Sequence, residues 1–240
     1  MPRFFISSLA GNEIALTGED AFHIAKTLRM KAGEALTLCD GAGSDYACVI
    51  TRVDPAQVVV RVEAVRPTTG EPSLFLTLYQ ALPKGDKMDT IIQKTVELGV
   101  SRIVPVITQR CVSRPDIAAL AKKVARWQKI AKEAAQQCGR GIVPQVCNMQ
   151  NFTDTVLNAD ADVRLFFYEL GGAAVQTLLP AGVKNCAMMI GSEGGFAESE
   201  AAFACNNGFF AAGLGPRILR CETAPVVAAS VLMHITGNLS

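Results

Sequence analysis

From Pro72 to the C-terminus, short apolar runs alternate with longer amphipathic ones, and this alternation limits the fold more than any other feature of the chain. "SLFLTLYQAL", "RIVPVIT", "VRLFFYEL", "NCAMMIGSEGG" and "FFAAGLG" have the length and the aliphatic and aromatic content of buried strands. Between them, "KMDTIIQKTVELG", "DIAALAKKVARWQKIAKEAAQQCG", "AESEAAFACNN" and "APVVAASVLMHITGN" read as helices, the first stopped by Gly99. Strands separated by helices pair in parallel, and such a sheet is covered on both faces. The pattern predicts an α/β domain.

The residues before it follow a different rule. "EALTLCDG", "DYACVITRVD" and "QVVVRVEAV" are strand-like runs broken by turn signals such as Asp40-Gly41. One helix interrupts them at "GEDAFHIAKTLRM", with Glu19 and Asp20 suited to its first turn. This reads as a small β-barrel. "RPTTGEP", Arg66 to Pro72, has the composition of a linker, so the chain divides into 1–70 and 71–240. At 240 residues, half of them apolar, it can support both cores. No run reaches the roughly 18 to 20 apolar residues of a membrane span. The first residues lack the pattern of a secretion signal, and the expectation is a cytoplasmic protein.

Eight cysteines and two histidines give no C-x-x-C pair, so a metal site is not expected and the cysteines read as small buried hydrophobes. The formal net charge of +1 hides an asymmetry. Residues 1–70 carry 7 basic and 8 acidic groups, 71–144 carry 12 and 6, and 145–240 carry 4 and 8. A basic middle of this kind suits a polyanion. On the long helix, Leu120, Val124, Trp127, Ala131, Ala134, Ala135 and Cys138 fall on one side, and Lys122, Arg126, Lys129 and Arg140 on the other. That basic side is either a solvated face or a phosphate contact.

Two glycine-bearing loops follow strands near the C-terminus: "MIGSEGGF", Met189 to Phe196, and "GLGPRILRCETA", Gly213 to Ala224. In α/β sheets ligands gather beyond the carboxyl ends of strands, so the two loops are candidates for one site. Neither contains the lysine of a phosphate loop, and Glu193 would repel phosphate. The pair suits a ligand of little negative charge, or no ligand.

"IGSEGGF" together with "LGPRILRCETA" resembles the paired C-terminal motifs of the ribosomal RNA small subunit methyltransferase E family, of the SPOUT class. "RFF", "HIAKTLRM", "LPKGDKMDTIIQKTVELGVSRIVPVITQR" and "RWQKIAKEAAQQCGRGIVP" are similar to segments of that family in the same order, so the resemblance spans essentially the whole chain. The sequence departs at Gln136 and Cys138, where the family often has an acidic residue and serine.

The resemblance implies an RNA-binding PUA-like β-barrel over 1–70 and a SPOUT methyltransferase domain over 71–240 with a C-terminal deep trefoil knot. It implies a homodimer that methylates N3 of a specific uridine of 16S ribosomal RNA, within the 30S particle, using S-adenosylmethionine. Backbone groups of Leu170, Ile190, Gly191, Leu214, Leu219 and Ala224 would bracket adenine and ribose, with Glu193, Gly194, Gly195, Gly215, Arg220 and Thr223 completing the cofactor site. Arg220 would stabilise the anionic uracil, or else form an ion pair with Glu222 or Glu193. Glu222 would accept a proton, orient Arg220, or cap the following helix. Arg3, His23, Arg29, Lys84, Arg110, Arg126 and Arg140 are the expected RNA contacts. Trp127 and His234 are expected to be structural.

Overall fold

The computed structural model describes residues 1–6, 11–114 and 116–239, in two compact units. The first comprises Met1–Glu71 and Ala135–Val143, and the second Pro72–Ala134 and Pro144–Ser240. The end of the long helix and the turn after it thus group with the N-terminal unit.

That unit is built on strands β1 (Arg3–Phe5), β2 (Glu13–Thr17), β3 (Ala35–Cys39), β4 (Ser44–Val53) and β5 (Gln57–Pro67). Their order is β1-β3-β4-β5-β2, with β1 parallel to β3 and the other pairs antiparallel. The small barrel expected from the sequence takes the form of an open, curved sheet. Among the described residues β1 and β2 do not pair, and the mixed sheet remains a half-barrel. Two register shifts between β4 and β5, at Ala47/Cys48 and Ile50/Arg52, supply curvature. Alternation along β2 turns Ile14 and Leu16 inward, against Leu36, Leu38, Val58 and Val60. Helix α1 (Gly18–Phe22), continued by a π-helical turn over His23–Thr27, adds Ala21 and Ile24 to this core. Strands β1 and β2 were not legible in the sequence because three to five residues carry too little periodicity.

Two ion pairs secure this unit. Arg3 donates to both carboxylate oxygens of Asp45 at 2.7 Å, and Thr68 Oγ1 donates to the same carboxylate. Arg140 Nη2 lies 2.8 Å from Glu71 Oε2, while Glu71 Oε1 accepts the amides of Gly141 and Ile142. Arg140 is 3% exposed. Arg3 and Arg140, both expected to contact RNA, are thus engaged with carboxylates of this unit.

The second unit is a parallel sheet of eight strands. They are β6 (Phe75–Ala81), β7 (Arg102–Ile107), β8 (Gln145–Val146), β9 (Gln150–Asn151), β10 (Val163–Phe167), β11 (Ala173–Ala174), β12 (Asn185–Ile190) and β13 (Phe210–Gly213). The order is β11-β13-β10-β12-β6-β7-β8, with β9 also paired to β7. Strands β6 and β12 are buried along almost their whole length, as continuous apolar runs require. The helices are α2 (Lys87–Glu97), α3 (Ile117–Cys138), α4 (Phe152–Leu157), α5 (Val175–Leu178), α6 (Glu198–Asn206) and α7 (Ala224–Ile235). Trp127, Ala131, Ala134 and Ala135 on α3 are buried, but Cys138 is exposed, against expectation. Trp127 is a core residue whose Nε1 donates to Asp89 Oδ1 at 3.1 Å. Cys39, Cys48, Cys111, Cys186 and Cys221 are buried as free thiols. Among the described residues no helix is long and apolar enough to cross a membrane, and no cluster of metal-ligating side chains is found.

Candidate functional site

Parallel pairing sends the carboxyl ends of β13, β10, β12 and β6, four neighbours in the sheet, to one edge. The segments leaving these strands meet there around a cavity of about 450 Å³. Tyr168, Glu169 and Gly171 line it from the segment after β10, and Gly191–Gly195 from the loop after β12. Leu214–Cys221 and Ala224 line it from the loop after β13, and Lys87 reaches it from the start of α2. The two glycine-bearing loops thus share one site.

Close packing shapes the first loop. Gly195 has φ +63° and donates to Ser192 O at 3.0 Å, closing a tight turn. A Cβ on Gly195 would lie 2.5 Å from the Glu169 carboxyl carbon, so a side chain there must displace Glu169. A Cβ on Gly191 would press within 3.2 Å of Gly195 Cα and the Phe196 ring. Neighbouring elements hold the loop from three sides. Gln80 Nε2 donates to Gly191 O at 3.1 Å, Arg110 Nη1 donates to Gly194 O at 3.0 Å, and the Lys84 amide donates to Glu193 Oε1 at 3.1 Å.

The charges are arranged differently from expectation. Glu193 and Glu222 both pair with Lys87, at 3.0 and 3.2 Å from Nζ. Burial pushes the Glu193 carboxyl up, but hydrogen bonds from Lys87 and the Lys84 amide outweigh it and hold the carboxyl below its ordinary value. The Cys221 thiol, its own amide and Lys87 likewise lower Glu222. Lys87 is raised, chiefly by Glu193. Burial and the neighbouring Glu222 push the Cys221 thiol up to about 12, so it is not a nucleophile at neutral pH.

Arg220 therefore pairs with neither glutamate, which corrects two expectations: the ion pair and its orientation by Glu222. Its carbonyl accepts the amides of Thr223 and Ala224 as α7 begins, and its exposed side chain has no hydrogen bond or ion pair among the described residues. Glu222 does not act as a side-chain cap, since the N-cap position is Thr223 and has no side-chain bond.

Of the other expected cofactor residues, Ile190, Gly191, Glu193, Gly194, Gly195, Leu214, Gly215, Leu219 and Ala224 line the cavity. Leu170 and Thr223 fall outside the lining, as does Glu222, expected to be catalytic, and Leu170 is 73% exposed. Among the expected RNA contacts, His23 and Arg29 are exposed in the N-terminal unit, Arg29 with a left-handed φ of 55°. Lys84 is exposed. Arg110 is engaged with Gly194 and lies 3.7 Å from Glu169, and Arg126 is paired with Asp89 and Asp86. Sequence reasoning missed Lys87 and Gln80. Gln80 is a fully buried polar residue in an apolar strand, a signal that could have been read. Lys87 had no such mark among the lysines of the basic middle.

A family model described as an RNA methyltransferase domain matches residues 70–233, and one described as an RNA methyltransferase PUA domain matches residues 16–63. The chain is 34% identical over 254 residues to the ribosomal RNA small subunit methyltransferase E of Bacillus subtilis, covering 100% of this chain and 98% of that protein. It superposes on the Neisseria gonorrhoeae enzyme of the same name bound to S-adenosylmethionine with a TM-score of 0.91 at 32% identity, over 98% of each chain. A methyltransferase structure from Legionella pneumophila, also with bound S-adenosylmethionine, gives a TM-score of 0.89 at 35% identity over 97% of this chain and 96% of that one. With both halves matched in order and along their full length, this chain belongs to the ribosomal RNA small subunit methyltransferase E family.

Proposed function

We propose that the protein uses S-adenosylmethionine to methylate N3 of one uridine in 16S ribosomal RNA. The observation that carries this reading is the exposed, unpaired Arg220 guanidinium on the wall of a cavity shaped by two glycine-bearing loops. The cavity fits the cofactor. Ile190, Leu214, Leu219 and Ala224 offer apolar surface for a purine, and Ser192 Oγ is buried without a partner among the described residues, a polar atom awaiting a ligand group. A phosphate ligand is disfavoured for a reason the sequence did not contain. A lysine is present, but Glu193 and Glu222 occupy its ammonium.

When bound, the cofactor supplies a methyl group on a cationic sulfonium. The chain's residues do the rest. Gly191 and Gly195 let the loop backbone close around the ligand, and Gln80, Arg110 and Lys84 keep that backbone in place. Uridine N3 must lose its proton to become a nucleophile, and the negative charge spreads to the uracil carbonyls. Arg220 stabilises that charge. Glu222, ionised beside Lys87, is the nearest carboxylate in sequence to Arg220 and the candidate proton acceptor.

In this reading residues 1–70 form the PUA-like RNA-binding domain and 71–240 the methyltransferase domain. His23, Arg29 and Lys84 are the exposed contacts to RNA within the 30S particle. The C-terminal trefoil knot that the family resemblance implies belongs to this reading. Ile218, 83% exposed, and Leu170 present apolar side chains near the cavity, which supports a homodimer that would cover them. The reaction needs no metal, and its substrate is cytoplasmic. The direct test is Arg220→Ala. Turnover on 30S particles should fall by roughly 10²–10³ while cofactor affinity is largely kept. An active variant refutes the role.

A further inference from the structure

One charged group on the cavity wall comes from neither glycine-bearing loop. Lys87 stands in the first turn of α2, with Nζ 3.0 Å from Glu193 Oε1, 3.2 Å from Glu222 Oε2 and 3.7 Å from Cys221 Sγ. An ammonium has three donors, and three acceptors converge on it. Glu193 belongs to the loop after β12, whereas Cys221 and Glu222 belong to the loop after β13. A single side chain therefore joins the two loops that form the site. The segment before α2 grips the first loop again, through the Lys84 amide on Glu193.

We propose that Lys87 is a positioning residue that latches the two loops together, holding the cavity at the width the cofactor needs and Arg220 in its place on the rim. The identity of the cofactor rests on the function proposed above; the latch itself rests on geometry. Both carboxylates touch one nitrogen, so they stand within roughly 6 Å of each other, where like charges disfavour mutual ionisation. With the ammonium between them they attract a common centre. Without it they push the loops apart, or one takes up a proton. The groups facing Nζ are Glu193 from the first loop and Cys221 and Glu222 from the second, and Arg220 is the next charge along that loop.

The test uses the full-length protein and the variants Lys87→Met, which keeps the apolar stem, and Lys87→Arg, whose planar fork can still bridge two carboxylates. Hydrogen exchange without cofactor is expected to quicken about tenfold in both 191–196 and 219–224 for Lys87→Met, and to return towards wild type for Lys87→Arg. Glu222→Gln cuts only one arm, and should loosen 219–224 while sparing 191–196. Calorimetry with S-adenosylmethionine should show weaker binding by Lys87→Met, with its acid limb moved to higher pH, and recovery in Lys87→Arg. Unchanged exchange in either loop of Lys87→Met overturns the latch, as does a Lys87→Arg variant no better than Lys87→Met. Should Lys87→Met fail to fold, Glu222→Gln still decides the matter: exchange that does not quicken in 219–224, or that quickens equally in 191–196, overturns the latch. A wild-type protein that binds no S-adenosylmethionine would defeat the cofactor assignment alone, because the exchange comparison judges the latch without it.

Discussion

Replacing Gly195 by alanine separates the backbone requirement of the first loop from its contact with Glu169. Gly195 has φ +63° and Gly182 has φ +74°, so an alanine at either position sits in the left-handed region. That conformation costs roughly 1–2 kcal/mol for a residue with a Cβ. At Gly182 nothing lies within 4 Å of the added atom, so the cost there is conformational only. At Gly195 the atom lands on the Glu169 carboxyl, with Cδ at 2.5 Å. The half-exposed Glu169 can swing aside, which adds no more than the ~0–1 kcal/mol of its loose pairing with Arg110 at 3.7 Å. Both variants should therefore melt a few degrees below wild type, at about 2–4 °C per kcal/mol for a chain of this size. Their cofactor affinities should differ. Glu169 lines the cavity and Gly182 does not, so Gly195→Ala should weaken S-adenosylmethionine binding at least about tenfold, while Gly182→Ala binds as wild type. Scanning calorimetry and titration calorimetry on the same samples give both numbers. Equal affinities in the two variants would refute the reasoning.

Other consequences follow from the buried charges and the exposed ones. Arg140→Met leaves the partly buried Glu71 without its cation, and should cost about 3 kcal/mol in denaturant unfolding with no loss of cofactor affinity. Glu193 and Glu222 are held below their unfolded values, so their contribution is complete above about pH 4.5 and should disappear as pH falls through the folded values; Lys87 is raised, so its contribution should persist until pH climbs through its folded value. Melting temperature measured against pH should therefore show a flat neutral range that falls off on the acid side first. Arg29→Ala should leave cofactor binding unchanged and lower the salt dependence of RNA binding by about one phosphate contact, read from the slope of log affinity against log salt.

The long buried strands and α2, α3, α6 and α7 were legible because their periodicity extends over enough residues to be counted. Strands β1, β2, β8, β9 and β11 and helices α4 and α5 were not; β8, β9 and β11 are two residues each and take their form from the neighbours they pair with. The two glycine-bearing loops announced the site, and parallel pairing explains why: both follow neighbouring regions of one sheet edge. The partners of its charges could not be read. Glu193, Glu222 and Lys87 are separated by many residues in sequence, and the pairing of β12 with β6 and the packing of α2 beside α7 bring them together. The same limit applies to the partners of Arg3 and Arg140. A basic residue in a resembling segment looks the same whether or not it is paired with a carboxylate, and Asp45 and Glu71 reach their arginines only in three dimensions.

The central claim is tested most directly by incubating unmethylated 30S particles with the protein and methyl-labelled S-adenosylmethionine, then digesting the 16S ribosomal RNA to nucleosides. The account predicts label in N3-methyluridine at about one per RNA, appearing roughly 10²–10³-fold more slowly with Arg220→Ala. Label on a ribose hydroxyl or another base, or wild-type protein that transfers no methyl group to the particle, would contradict it.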